Sequence, residues 1–140
     1  MTRRGATVVA VCAALLAAAV LTAAAAAAPD QTRTVSVTIH FSRFDLPSLD
    51  VRPGETVRFV VINEDPIDHE FLVGDAEMQA IHEAGTEAHH GARPGEISVP
   101  AGATVETTLT FPAEPEAGWE FACHLPGHYR YGMHGPITIG

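Results

Sequence analysis

Between residues 123 and 133 the chain reads Cys-His-Leu-Pro-Gly-His-Tyr-Arg-Tyr-Gly-Met. This short loop presents a thiolate at Cys123, an imidazole at His128 and a thioether at Met133, in the spacing C-x4-H-x4-M. A second imidazole, His69, opens an apolar run far upstream, His69-Glu70-Phe71-Leu72-Val73. One thiolate, two imidazoles and one thioether are the donor set of a mononuclear copper centre with a trigonal His₂Cys plane and a weak axial Met. Soft sulfur donors favour Cu(I), imidazoles suit both oxidation states, and a rigid frame limits reorganisation between them. Zinc is a rival ion, although it prefers Cys, His and carboxylate to a thioether. The plainer alternative makes Cys123 a buried core thiol and Met133 an apolar plug, which leaves His128 and Gly127 without a reason. A binuclear copper centre needs another cysteine in the domain, and the only other one, Cys12, falls in the N-terminal apolar stretch.

These donors need a frame. Residues 34–41 alternate, with Val35, Val37, Ile39 and Phe41 on one side and Ser36, Thr38 and His40 on the other, the pattern of a half-buried strand. His40 falls on the polar side and reads as a surface residue. Residues 45–50 are irregular, with Pro47 as a breaker. Arg52-Pro53-Gly54-Glu55 reads as a turn. Residues 56–63 are apolar enough to be a strand covered on both faces, and His69 begins another that ends at Gly74. Residues 97–99, 104–111, 119–123 and 136–139 complete about seven short strands separated by turn signals, which indicates an all-β sandwich. Trp119, Phe121 and Cys123 share one strand face. Pro126-Gly127 tightens the loop that returns His128 toward Cys123, and Gly132 precedes Met133. Three donors on one loop and a fourth from a neighbouring strand place the metal at one end of the sandwich.

Residues 75–96 differ in character and read as an insert between central strands. Asp75 is placed to cap a helix over 76–84 that Gly85 ends, with Met78, Ile81 and His82 along one face. The segment also holds His89 and His90. It is expected to be a solvated acidic helix and loop; the alternative is a second, looser metal site or copper-capture arm built from His82, His89 and His90.

Residues 1–28 carry Arg3 and Arg4, an apolar run and an alanine tract, the order of a secretory signal. Retention as a membrane anchor is the alternative. The expected organisation is a signal at 1–28 and one domain at 29–140, exported to the periplasm or beyond, with no membrane insertion after cleavage. The domain holds a single cysteine, so an intramolecular disulfide is excluded, and metal ligation gives an unpaired exported cysteine its reason. The full chain has a formal net charge of −9 and no lysine, which argues against nucleic acid as a partner.

Residues 34–140 resemble the cupredoxins, the blue-copper proteins that include azurin, auracyanin, rusticyanin and plastocyanin. The resemblance rests on Pro53-Gly54 before a Val-Phe strand, on Asp68-His69-Glu70-Phe71, and on Cys123-His124-Leu125-Pro126-Gly127-His128 with Met133. It implies a Greek-key β-sandwich holding one copper through His69, Cys123 and His128, with Met133 weakly bound. The four-ligand site favours a non-enzymatic one-electron carrier, docking redox partners on an apolar surface around His128; a copper enzyme would need further coppers and a longer chain. The competing role is a copper-homeostasis protein that buffers or delivers the ion. One departure is that Glu70 stands where azurin and plastocyanin have Asn. The side chains of Glu70 and His124 are expected to face solvent; if Glu70 is ionised and close, it favours Cu(II) and lowers the potential.

Overall fold

The computed structural model describes residues 31–85 and 93–140. The stretch read as a secretory signal lies outside the described residues, as do His89 and His90.

The alternating segments form strands. β1 (Arg33–Ile39) pairs in parallel with β3 (Thr56–Asn63), and β3 pairs antiparallel with β6 (Thr104–Thr110), making one three-stranded sheet. The second sheet has five strands, β2 (Leu49–Val51), β8 (His134–Ile139), β7 (Glu120–Ala122), β4 (His69–Gly74) and β5 (Glu96–Val99), side by side in that order. The inner faces enclose one apolar core that includes Val37, Ile39, Phe59, Phe71, Phe111 and Phe121. Each fully buried phenylalanine contributes roughly 1.5–3 kcal/mol of transfer free energy. The expected β-sandwich is therefore the fold.

Four local expectations are corrected. First, β1 stops at Ile39, and Phe41, assigned to its apolar face, is 81% exposed. Phe41 and Ser42 instead form a tight turn with φ of 52° and 53°, a left-handed conformation that costs non-glycine residues about 1–3 kcal/mol each. Second, the irregular stretch around Pro47 hides β2, a three-residue edge strand parallel to β8. Third, the outward residues of β3, Val60 and Ile62 among them, are half-buried rather than covered.

The fourth correction concerns the insert helix, α1 (Ala76–Ala84), whose ends fall where the sequence placed them. Asp75 caps it, its side chain accepting the Met78 N–H. Its inward face is only partly the expected one, since His82 is buried but Met78 and Ile81 are not. Met78 and Ile81 are 39% and 58% exposed, whereas Gln79 and His82 are buried. The surface beneath α1 explains this. It presents the carbonyls of Gly74 and Glu120, the His124 ring and the Glu96 carboxylate. Buried polar groups of that kind require partners more than they tolerate methyl groups. The helix packs on β4 and β7, so every residue of β4 is buried.

This layout positions the site. β4 and β7 run antiparallel with Leu72 opposite Ala122. Beyond that pair, Glu70 bridges the two elements, its N–H reaching Cys123 Sγ and its carboxylate the His124 N–H. The start of β4 and the end of β7 thus lie at the same end of the sandwich. Gly135 lets β8 cross close to that pair, because a Cβ there would overlap the Phe121 ring.

Candidate metal centre

His69, Cys123 and His128 meet at this end. One ligand atom from each lies within 4.8 Å of the others. His69 Nδ1 is 3.2 Å from His128 Nδ1, and Cys123 Sγ is 3.3 Å from the same nitrogen. A trigonal plane of donors about 2.0–2.3 Å from one ion requires separations of roughly 3.5 Å. The three donors therefore fit a single metal ion. Among the described residues they are the only such group of His, Cys, Asp or Glu. His69 and Cys123 are buried and His128 is half-buried, so one imidazole reaches the molecular edge.

The loop carrying two of these donors is cross-linked through its own backbone. Cys123 N–H donates to Met133 O, Met133 N–H to His128 O, and His128 N–H to Leu125 O, at 3.0, 3.0 and 2.9 Å. Gly127 and Gly132, with φ of 88° and 92°, allow the two reversals. Met133 is fully buried and belongs to the core cluster together with Cys123 and Leu125. Its backbone carbonyl, which accepts the Cys123 N–H, ties it to the end of β7.

The sulfur accepts the Glu70 N–H at 3.3 Å, and the Leu125 N–H supports it as well. Burial pushes the Cys123 thiol up to about 11; these two N–H groups lower it and the Glu70 carboxylate raises it further. A metal ion must displace that proton, which links affinity to pH. Burial, followed by the neighbouring His69, depresses His128 below the usual imidazole value, against a smaller opposing pull from Asp65. Its neutral, ligating form is favoured.

Glu70 and His124 do not face solvent. Glu70 is 1% exposed, and its Oε2 accepts the backbone N–H of His124 at 3.0 Å. His124 is buried beneath α1, with Nε2 2.7 Å from Gln79 Oε1 and Nδ1 2.9 Å from Glu83 Oε2. The inward polar side of α1 holds His124, and Glu70 is held in turn by the His124 N–H, which sequence spacing alone could not show. His40 is exposed, as expected. His82 is buried, with Nδ1 3.0 Å from Met78 O and Nε2 3.3 Å from Glu96 Oε1, and it is not among the converging donors.

Asp65 was not anticipated from the sequence. Its Oδ2 lies 2.9 Å from His69 Nε2. Burial alone would raise this carboxyl, but the Ser42 and Phe41 N–H groups and His69 outweigh it and hold it below the usual carboxylate range. An aspartate four residues before a histidine in a polar loop is too common a pattern to have signalled this contact.

No helix among the described residues is long and apolar enough to cross a membrane. Comparison with known proteins agrees with the geometry. Residues 32–140 match the family of copper binding proteins of the plastocyanin/azurin type. The chain is 41% identical over 113 residues to a copper-resistant cuproprotein CopI of Rubrivivax gelatinosus, covering 76% of this chain and 66% of that protein, just under two thirds of its length. It is 31% identical to a protein of the same name from Pseudomonas aeruginosa, covering 80% and 78% of the two chains. The reduced auracyanin of Roseiflexus castenholzii shares the fold, with a TM-score of 0.62 at 21% identity over 78% of this chain and 98% of that one. With His69, Cys123 and His128 in position to hold one ion, the chain belongs to the plastocyanin/azurin family of copper-binding proteins.

Proposed function

We propose that this protein is an exported, non-enzymatic, mononuclear type 1 copper protein whose role is copper tolerance: holding the ion outside the cytoplasm. His69, Cys123 and His128 supply the trigonal plane and Met133 the weak axial thioether. The observation that carries the copper site is the convergence of three donors, two of them buried, one from β4 and two from a loop already closed by its own hydrogen bonds. Support for the tolerance role comes from two relatives named copper-resistant cuproproteins and from the buried Glu70 carboxylate beside Cys123. Negative charge there strengthens the hold on Cu(II).

A second reading, one-electron carriage to a redox partner, is favoured by the half-buried edge of His128 and the exposed residues Pro126, Gly127 and Tyr131 beside it. Leu125, in the same loop, is buried and adds nothing to that exposed edge. The acidic surface would steer a basic partner.

Deleting the gene and challenging cells with copper tests the first reading. A growth defect restored by the wild-type protein and not by Cys123→Ser is expected. Growth unaffected by copper, together with loss of a respiratory or photosynthetic electron-transfer rate, would instead favour the second.

A further inference from the structure

We propose that Asp65 is a positioning residue that fixes the ring of His69 and biases the bound copper toward Cu(II). The proposal rests on the reading of His69 as a copper ligand.

The geometry is that of a three-part relay. The Asp65 carboxylate is an acceptor, so the His69 Nε2 facing it at 2.9 Å carries the hydrogen. That leaves the Nδ1 lone pair pointing at His128 and Cys123. Only one tautomer of His69 satisfies both sides. A carboxylate behind a ligating imidazole also raises its basicity, which strengthens binding of the more highly charged ion.

Asp65 is itself held from several directions. Its Oδ1 accepts the Phe41 N–H and its Oδ2 the Ser42 N–H, each at 2.7 Å. The turn at Phe41 and Ser42 directs two successive N–H groups onto one carboxylate, as turns do when they form anion-binding concavities. The strained turn at the end of β1 thus has a purpose: it grips the carboxylate that grips the ligand. The Asp65 backbone is fixed as well. Its N–H donates to Asn63 Oδ1 at 3.0 Å and its carbonyl accepts from Gly102 at 3.2 Å. Asn63 in turn donates to the carbonyls of Ile67, Val99 and Pro100, tying the loop before β4 to the loop after β5. The carboxylate is therefore pre-set before any metal arrives. A flexible acidic residue would offer charge without orientation.

The test compares wild type with Asp65→Asn and Asp65→Ala. Long-range proton–nitrogen NMR on the metal-free wild type is expected to show His69 with its hydrogen on Nε2. In the variants the Cu(II) affinity, measured by chelator competition, falls about 10–100-fold. Cu(I) affinity changes less, so the reduction potential rises, by about 59 mV for each tenfold change in the Cu(II)/Cu(I) affinity ratio. The visible absorption of the loaded variants remains, because Cys123 is untouched. A hydrogen on Nδ1 in the wild type, or variants whose potential and Cu(II) affinity match wild type, would overturn the proposal. The wild-type NMR measurement decides the matter even if both variants fail to fold. Wild type that binds no copper would overturn the copper reading itself, while the tautomer would still report on Asp65 and His69.

Discussion

Glu70 and His124 are joined across the ends of β4 and β7, where the Glu70 carboxylate accepts the His124 N–H at 3.0 Å. The N–H of the same glutamate donates to Cys123 Sγ at 3.3 Å. One buried residue therefore braces both the thiolate and the peptide that follows it. Replacing Glu70 with Ala leaves a buried N–H without its partner, a loss of about 1–3 kcal/mol that thermal or denaturant unfolding of the metal-free protein should report. Glu70→Gln keeps an acceptor and removes the charge. It should cost less stability and lower the Cys123 thiol from about 11, because that charge is one of the groups raising it. Thiolate absorbance against pH checks the second effect.

The contact between α1 and His124 leads to a second expectation. Gln79 reaches the carbonyls of Gly74 and Glu120 and the His124 ring together. Gln79→Ala should loosen the helix, with faster amide exchange across residues 76–84 and a stability loss of roughly 1–3 kcal/mol. The three converging donors lie on β4 and the metal loop, so one equivalent of copper should still bind. Unchanged exchange in α1 would mean that other contacts hold the helix.

Copper binding should also depend on pH in a calculable way. Below about 11 the Cys123 thiol carries its proton in the metal-free protein, so binding releases it. His128 is depressed below the ordinary imidazole value of 6.5 and adds no second proton above that pH. Affinity should accordingly rise about tenfold per pH unit between roughly pH 7 and 10, one proton per copper. Competition titrations at several pH values read the slope. A flat profile would contradict a buried, protonated thiol.

Acid stability should reflect Glu55. Burial would raise its carboxyl, but the Arg52 N–H and the Arg33 guanidinium outweigh that and hold it below 4.5. A carboxylate whose folded value is depressed stabilises the fold above its unfolded value, and that contribution disappears as pH falls through the folded value. Metal-free protein should therefore lose stability below about pH 4.5, and Glu55→Gln should flatten this limb while lowering stability at pH 7. Urea midpoints across pH 3–7 test both.

The insert offers a stoichiometric check. Since His82 is engaged by Met78 and Glu96 rather than by the converging donors, wild type should take up one tightly held copper. A His82/His89/His90→Ala variant should match it in number and affinity. A second tight equivalent, lost in that variant, would restore the copper-capture reading of the insert.

The metal donors were legible in the sequence because thiolate, thioether and imidazole at loop spacing are scarce and their chemistry is specific. Strands with clean alternation, such as β1 and β6, were equally legible, as were both ends of α1. What could not be read depends on distant partners. Alternation continued through Phe41, yet the chain turns there because Asp65, 24 residues away, receives its N–H. Met78, Ile81 and His82 suggested one inward face for α1, but the carbonyls and rings beneath it took Gln79 with His82 and left Met78 and Ile81 outward. Glu70 and His124 are ordinary surface residue types; their bond to each other, the Glu70 N–H on Cys123 and the contacts of α1 with His124 make them part of the site.

The most direct test is the visible spectrum of purified protein titrated with Cu(II). An intense thiolate-to-Cu(II) band that saturates at one equivalent, vanishes on reduction and is absent in Cys123→Ser is the expected result. A colourless Cu(II) complex, or a band that survives loss of Cys123, would contradict a centre built on His69, Cys123 and His128.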